Sequence, residues 1–211
     1  MTSAADYLPS TPTLDELRAA VEGCRGCPLY ACATRVVFGE GPADAVAMFV
    51  GDAPTAEEDR AGRPFLGPPG RLLERALAEV GIDRTEVYVT NVVKHARGEP
   101  RGRRRTQCAP DDAHVAACRP WLDAELAVVR PAVLVCLGAA AARAVLGEGF
   151  RVRRQRGVFL PSPLAPHVLA TVHPSAVLRA RGEEARRVVY TRFVDDLARV
   201  AERLRAVHAG V

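Results

Sequence analysis

An α/β fold is predicted, a three-layer α/β/α sandwich around a central, mainly parallel four-stranded sheet. Three observations carry this reading. Four short apolar runs recur at 46–50, 87–93, 132–137 and 168–172. Stretches with apolar residues at helical spacing separate them. Gly51, Asn91, Gly138 and His173 stand within or just beyond the ends of those runs. Runs that are apolar throughout mark strands buried on both faces, and helices between them make parallel crossovers.

The elements follow in order. Residues 14–21 read as a short helix, with Thr13 as N-cap and Glu16 at capping-box spacing. The run 46–50 ends at Gly51. Residues 71–80 place Leu72, Leu73, Ala76, Leu77 and Val80 on one helical face, and Gly81 is placed to stop them. A second strand covers 87–93, a helix 111–129, a third strand 132–137 and a helix 139–146. The fourth strand is 168–172, and a long helix occupies 183–207. With no internal repeat or long linker, the 211 residues are expected to form a single domain spanning 1–211, with 1–12 a flexible N-terminus.

Hydrophobic residues make up 48% of the chain and charged residues 26%, enough to build a core without covalent staples. The net charge of +4 is mild, and Lys94 is the only lysine among 29 basic residues. Residues 1–12 lack a basic region followed by an apolar run, so no secretory signal is read there. The most apolar stretch, 132–142, stops at Arg143 and is too short to span a bilayer. A monomeric, cytoplasmic chain with no membrane partner is expected. Six cysteines in such a chain suggest metal or redox chemistry rather than disulfides.

Cys24 and Cys27 form a Cys-x2-Cys pair, a common way to offer two thiolates to one metal centre. Cys136, inside an apolar strand, reads as a buried thiol, and Cys32 as a packing residue. Cys118 suits a third ligand, and either His95 or Cys108 a fourth. Three cysteines and a histidine would also suit structural zinc.

In a parallel sheet of this kind ligands bind beyond the carboxyl ends of the strands. That gathers 51–54, 90–95, Gly138 and 173–175 around one crevice. There Asp52 stands as a candidate base in a dry cleft, or as a helix cap. Phe65 lies in a glycine- and proline-rich loop, where an aromatic can stack on a base or plug the core. Asn91 offers an amide donor and acceptor together. His173 can donate to developing negative charge. Lys94, Arg97, Arg101, Arg103, Arg104 and Arg105 form a basic stretch broken by glycine and proline, read as a loop that contacts phosphate.

Together these residues resemble the iron–sulfur uracil-DNA glycosylases of family 4. The resemblance runs from Cys24 to Arg179 through three spaced motifs. The first is Gly51, Asp52, Ala53 and Pro54 with Glu58, Asp59, Gly62, Pro64, Phe65 and Gly67. The second is Thr90, Asn91 and Lys94, and the third His173, Pro174 and Ser175. The arginine-rich insertion and His95 after the motif lysine are similar to the mycobacterial cross-linking (X-type) subfamily. The resemblance implies a [4Fe-4S] cluster on Cys24, Cys27, His95 and Cys118, with Cys108 as the other candidate. It implies uracil-containing DNA, single-stranded or flipped from duplex, as partner, and a place at the bacterial nucleoid.

It also implies roles. Phe65 stacks on uracil, Asn91 reads its O4 and N3–H edge, and Ser175 belongs to the substrate site. The Ala53 N–H and His173 stabilise the departing base, and Asp52 stabilises the sugar cation and positions water. Leu178 wedges into the duplex gap, while Arg103, Arg104, Arg105 and Arg179 hold DNA. Gln107 stands where the cross-linking subfamily has a nucleophilic histidine. An amide is a very poor nucleophile, so hydrolysis without stable covalent trapping is expected. Asp52 and Ala53 stand where that subfamily has Glu-Gln, a carboxylate one methylene shorter, so slow turnover is expected. The alternative is a uracil-DNA binder that does not cleave.

Overall fold

The computed structural model describes residues 3–96, 98–101, 104–107 and 110–210. After helix α1 (Leu14–Val21) come strand β1 (Ala47–Gly51) and helices α2 (Ala56–Ala61) and α3 (Gly67–Glu79). Next are β2 (Val87–Asn91), a ribbon of β3 (Gly98–Arg101) and β4 (Arg104–Gln107), and α4 (Asp112–Val129). The remainder is β5 (Val133–Leu137), α5 (Ala139–Leu146), α6 (Val152–Gln155), β6 (Phe159–Leu160), β7 (His167–Thr171), α7 (Pro174–Arg179) and α8 (Glu183–His208).

The main sheet runs β2–β1–β5–β7–β6. Its first four strands are parallel, as expected, and β6 adds a fifth, antiparallel edge strand beside Val168 and Leu169. The four-strand expectation is therefore one short. Strand alternation builds two cores. Met48, Val50, Leu134 and Cys136 face Leu17, Trp121 and Leu122, whereas Phe49, Val133, Val135 and Leu137 face Leu73, Leu77, Phe193 and Leu197. Truncating a buried leucine such as Leu73 or Leu77 to alanine would cost about 2–5 kcal/mol.

Because β1 connects outward to β2 while β5 lies on its other side, the chain reverses direction between β1 and β5. In sheets of this kind such a switch point is where a crevice forms, at the carboxyl ends of the strands. No helix among the described residues is long and apolar enough to cross a membrane.

Residues 3–7 fold locally. Ser3 caps the short 3-10 helix Ala4–Tyr7, and Ala4 is buried against Gly26, where an added methyl would meet the Ala4 nitrogen at 2.6 Å. One expectation needs correction here: the arginine-rich stretch, read as a loop, carries an antiparallel ribbon in which Gly98 pairs with Gln107 and Pro100 with Arg105. Pro100 is tolerated because a two-stranded ribbon consists of edges only.

Candidate active site

Gly51, Asn91 and Phe65 meet at the end of β1. A methyl group added at Gly51 would lie 2.4 Å from Asn91 Oδ1 and 2.8 Å from Phe65 Cζ. Only glycine permits this approach. Asn91 is buried, and its Nδ2 has no hydrogen-bond partner among the described residues. An unpaired buried amide donor costs on the order of 1–3 kcal/mol, so it is a feature that asks for a ligand acceptor.

Phe65 is 6% exposed and adopts φ +54°, an uncommon conformation for a non-glycine residue. Helix α2 holds it there. Thr55 and Glu58 form a capping box at the start of α2, with the Thr55 N–H donating to Glu58 at 2.7 Å, and Gly62 ends the helix in the left-handed region. Burial pushes the Glu58 carboxyl up to about 7, opposed by the nearby Thr55 and Phe65 N–H groups. The Phe65 carbonyl then packs so closely on Gly70 that no side chain fits at that position.

The Phe65 ring stacks on His173, with centroids 6.2 Å apart and planes at 24°. His173 caps α7: its Nδ1 accepts the Ser175 N–H at 3.2 Å and lies 2.8 Å from the Ser175 hydroxyl. A ring nitrogen that accepts from the backbone carries no proton, so the neutral ring bears its hydrogen on Nε2. Burial, helped by the Arg179 charge, lowers its pKa to about 4. At neutral pH His173 is thus an uncharged donor. Ser175, expected at the substrate, is bonded to this histidine and fixes its tautomer.

Asp52 follows β1 and rests against Gly138, where an added methyl would lie 2.6 Å from a carboxylate oxygen. Its Oδ1 accepts the Ala141 N–H at 2.9 Å in the first turn of α5. The carboxylate thus caps α5, the second of the two sequence readings, at the carboxyl end of β1. Burial raises its pKa, opposed by the N–H groups of Ala141 and Ala140 and by Arg143 and Arg179. Ala53 is buried next to it.

This crevice can be compared with known proteins. The profile of the Uracil DNA glycosylase superfamily matches residues 38–198, which include every crevice residue described above. The chain belongs to this superfamily. The type-4 uracil-DNA glycosylase of Thermotoga maritima is 40% identical over 170 residues, 80% of this chain and 85% of that protein. The type-4 enzyme of Sulfurisphaera tokodaii is 34% identical over 174 residues, 79% of this chain and 76% of its own length. That of Pyrobaculum aerophilum is 36% identical over 180 residues, 81% and 88% respectively.

Behind Asn91 lies a network that was not foreseen. Lys94, grouped above with the phosphate-contacting residues, is 0% exposed. Its ammonium donates to Glu125 at 2.5 Å, to Thr90 Oγ1 at 2.6 Å and to the Asn91 carbonyl at 2.8 Å. Glu125 also accepts from the Tyr88 and Thr90 hydroxyls, both at 2.9 Å. Lys94 cannot reach DNA; it braces the backbone of Asn91. The signal was present in the sequence, since Glu125 shares its helical stripe with Leu122, Leu126 and Val129, a position where a charge must be paired.

Cys24, Cys27 and Cys118 gather beside this network. Each thiol lies within the electrostatic reach of the other two at Cys118, whose pKa burial raises to about 12. The Trp121 indole donates to Cys24 Sγ at 3.2 Å and the Lys94 N–H to Cys118 Sγ at 3.3 Å. His95 is buried and shares with Cys24 a cavity of about 300 Å³. Among the described residues no trio is tight enough for a single metal ion. Cys136 is wholly buried in β5, as read, and Cys32 is exposed.

Leu178 is 38% exposed on α7, with the exposed Arg179 next to it. Arg104, Arg105 and Gln107 lie on β4, where the backbone places Gln107 at the ribbon end that pairs with Gly98. Arg103 and Cys108 lie outside the described residues.

Proposed function

We propose that this chain excises uracil from DNA by hydrolysing its N-glycosidic bond, without stable covalent trapping. The observation that carries the reading is the buried Asn91 Nδ2 with no partner among the described residues, on a side chain whose Oδ1 packs at Gly51 beside the Phe65 ring. It suits an acceptor such as uracil O4; cytosine presents a donor there, so a fixed amide discriminates. Phe65 supplies the face on which the base stacks. The crevice admits a base only when it leaves the helix stack, and flipping costs a few kcal/mol, less from a single strand.

In the reaction the C1′–N1 bond breaks and its electron pair goes to the base. The charge spreads to O2, where the neutral His173 Nε2–H and the Ala53 N–H donate to it. The sugar becomes cationic at C1′, which the Asp52 carboxylate stabilises while water adds to C1′ and loses a proton. Uracil and an abasic site result. Gln107 takes the place of the nucleophilic histidine of the cross-linking subfamily, so no bond from protein to C1′ forms. Leu178 and Arg179, on α7 just after His173, fit a wedge and a phosphate contact, and the arginine-rich stretch would add phosphate contacts.

Cys24, Cys27, Cys118 and His95 would hold the [4Fe-4S] cluster. The converging thiols and the N–H groups aimed at two of the sulfurs support this. Bound there, the cluster would crosslink the turn that follows α1, the segment after β2 and α4. The whole chain is proposed to act as one domain.

A uracil-containing single strand incubated with wild type, Asp52→Asn and Gln107→His tests the proposal. Alkali-labile breaks are expected with wild type, few with Asp52→Asn, and an SDS-resistant adduct only with Gln107→His. A shifted but uncleaved strand with wild type would make the chain a binder instead, and a wild-type adduct would refute the role given to Gln107.

A further inference from the structure

A groove of about 730 Å³ opens on the far side of α5, lined by Ala139, Arg143, Phe150, Arg151, Arg153 and Arg154, with Asp112 and Glu148 as its acids. It begins where the crevice ends. Ala139 directly follows Gly138, which the Asp52 carboxylate touches, and Arg143 lies one helical turn further, about 6 Å along the axis. Arg143 acts electrostatically on Asp52 and lies 3.5 Å from Asp112. Arg151 is spent on local carbonyls, those of Glu148 at 2.8 Å and Phe150 at 3.2 Å, which fix the bend before α6. Arg153 and Arg154 are exposed on α6, where the Arg154 backbone N–H bonds the Arg151 carbonyl, and their guanidinium groups have no ion-pair or hydrogen-bond partner among the described residues. Phe150 and Val152 are buried beneath them and give the groove a rigid floor.

Two unpaired guanidinium groups over a rigid floor, continuous with a crevice that takes one nucleotide, match the repeating phosphates of the strand that carries that nucleotide. We propose that the α5–α6 groove is a DNA phosphate track, in which Arg153 and Arg154, with Arg143 nearest the crevice, hold the strand flanking the flipped base. This rests on the uracil-excision reading and extends it beyond the pocket. The track is separate from the arginine-rich ribbon in sequence.

The test is the double variant R153S/R154S beside wild type, with R205S as a control that removes an exposed charge at the opposite, amino-terminal end of the strands. Steady-state excision is measured on single-stranded oligonucleotides of increasing length with one central uracil. For long substrates the double variant should raise KM about tenfold with kcat unchanged. The slope of log KM against log salt should fall by about 1.4, the value for two lost phosphate contacts on a single strand. On the shortest substrate that wild type still cleaves, the variant should equal wild type, and R205S should equal wild type throughout. An unchanged KM and salt slope on long substrates, or the same loss at every length, would overturn the track. Should wild type excise nothing, the activity reading fails by itself; the track is then judged by fluorescence anisotropy on a long single strand, where an unchanged salt slope refutes it.

Discussion

The Asp52 carboxylate accepts the backbone N–H of Ala141 at 2.9 Å, joining the end of β1 to the first turn of α5 across 89 positions of sequence. The bond holds the carboxylate at the switch point, and burial raises its pKa above the ordinary 3.8. Activity that needs the ionised form therefore declines at a pH above the usual carboxylate range. The stability sign is opposite. With the folded pKa above the unfolded one, the folded state binds the extra proton, so Asp52 contributes least once pH has risen past its folded pKa. Asp52→Asn keeps an acceptor for Ala141 and carries no charge. It should lower excision on the order of 10² to 10⁴-fold, abolish the acid limb of the pH profile, and melt no lower than wild type at pH 7. Equal activity of the two proteins would remove Asp52 from the chemistry.

What could be read from sequence divides along the range of the interactions. The four parallel strands and the helices at 14–21 and 139–146 were legible because local apolar pattern and caps specify them. The edge strand Phe159–Leu160 is two residues long and has no pattern to detect. Helix α2 was overlooked although Thr55 and Glu58 stand at capping-box spacing, because its acidic residues read as motif positions. Lys94 was placed on the surface because a lone lysine beside arginines looks solvent-facing. Its partner Glu125 lies 31 residues away, and no local rule brings the two together. The pocket residues were legible for the opposite reason: the fold class alone sends the ends of its strands to one crevice.

Gly51→Ala tests the closeness of the pocket floor. The new methyl would meet Asn91 Oδ1 at 2.4 Å and Phe65 Cζ at 2.8 Å. Neither neighbour retreats easily, since the backbone of Asn91 is tied to Lys94 and the Phe65 ring is packed on His173. Overpacking of this kind costs about 1–3 kcal/mol. Displacing Asn91 and Phe65 by about 1 Å should lower kcat/KM about a hundredfold. A variant that loses stability while excising normally would show that the floor is structural only.

The Lys94–Glu125 pair predicts a non-additive stability pattern. Lys94→Met leaves a buried carboxylate facing only hydroxyls and should cost about 3–5 kcal/mol in urea unfolding. Adding Glu125→Leu removes the stranded charge, so the double variant should recover much of that loss. It should still excise poorly, because the Asn91 carbonyl has lost the ammonium that braces it. Simple addition of the two single effects would show that the residues do not act as a pair.

Glu58 sets a pH dependence of stability that can be measured without substrate. Burial raises its pKa from 4.5 to about 7, against the opposing N–H groups of Thr55 and Phe65. Between those values the folded state binds more protons than the unfolded chain, so stability falls as pH rises, and the loss is complete above about pH 7. At 1.36 kcal/mol per pKa unit the full swing is about 3 kcal/mol. Glu58→Gln is isosteric with the protonated acid and should flatten the unfolding free energy between pH 5 and 8, with its gain over wild type confined to the alkaline end. Glu58→Ala removes the acceptor that closes the α2 capping box ahead of Phe65, so it should destabilise the protein across the whole range and raise KM for uracil-containing strands. Should the glutamine variant keep the wild-type slope, some other group governs that window.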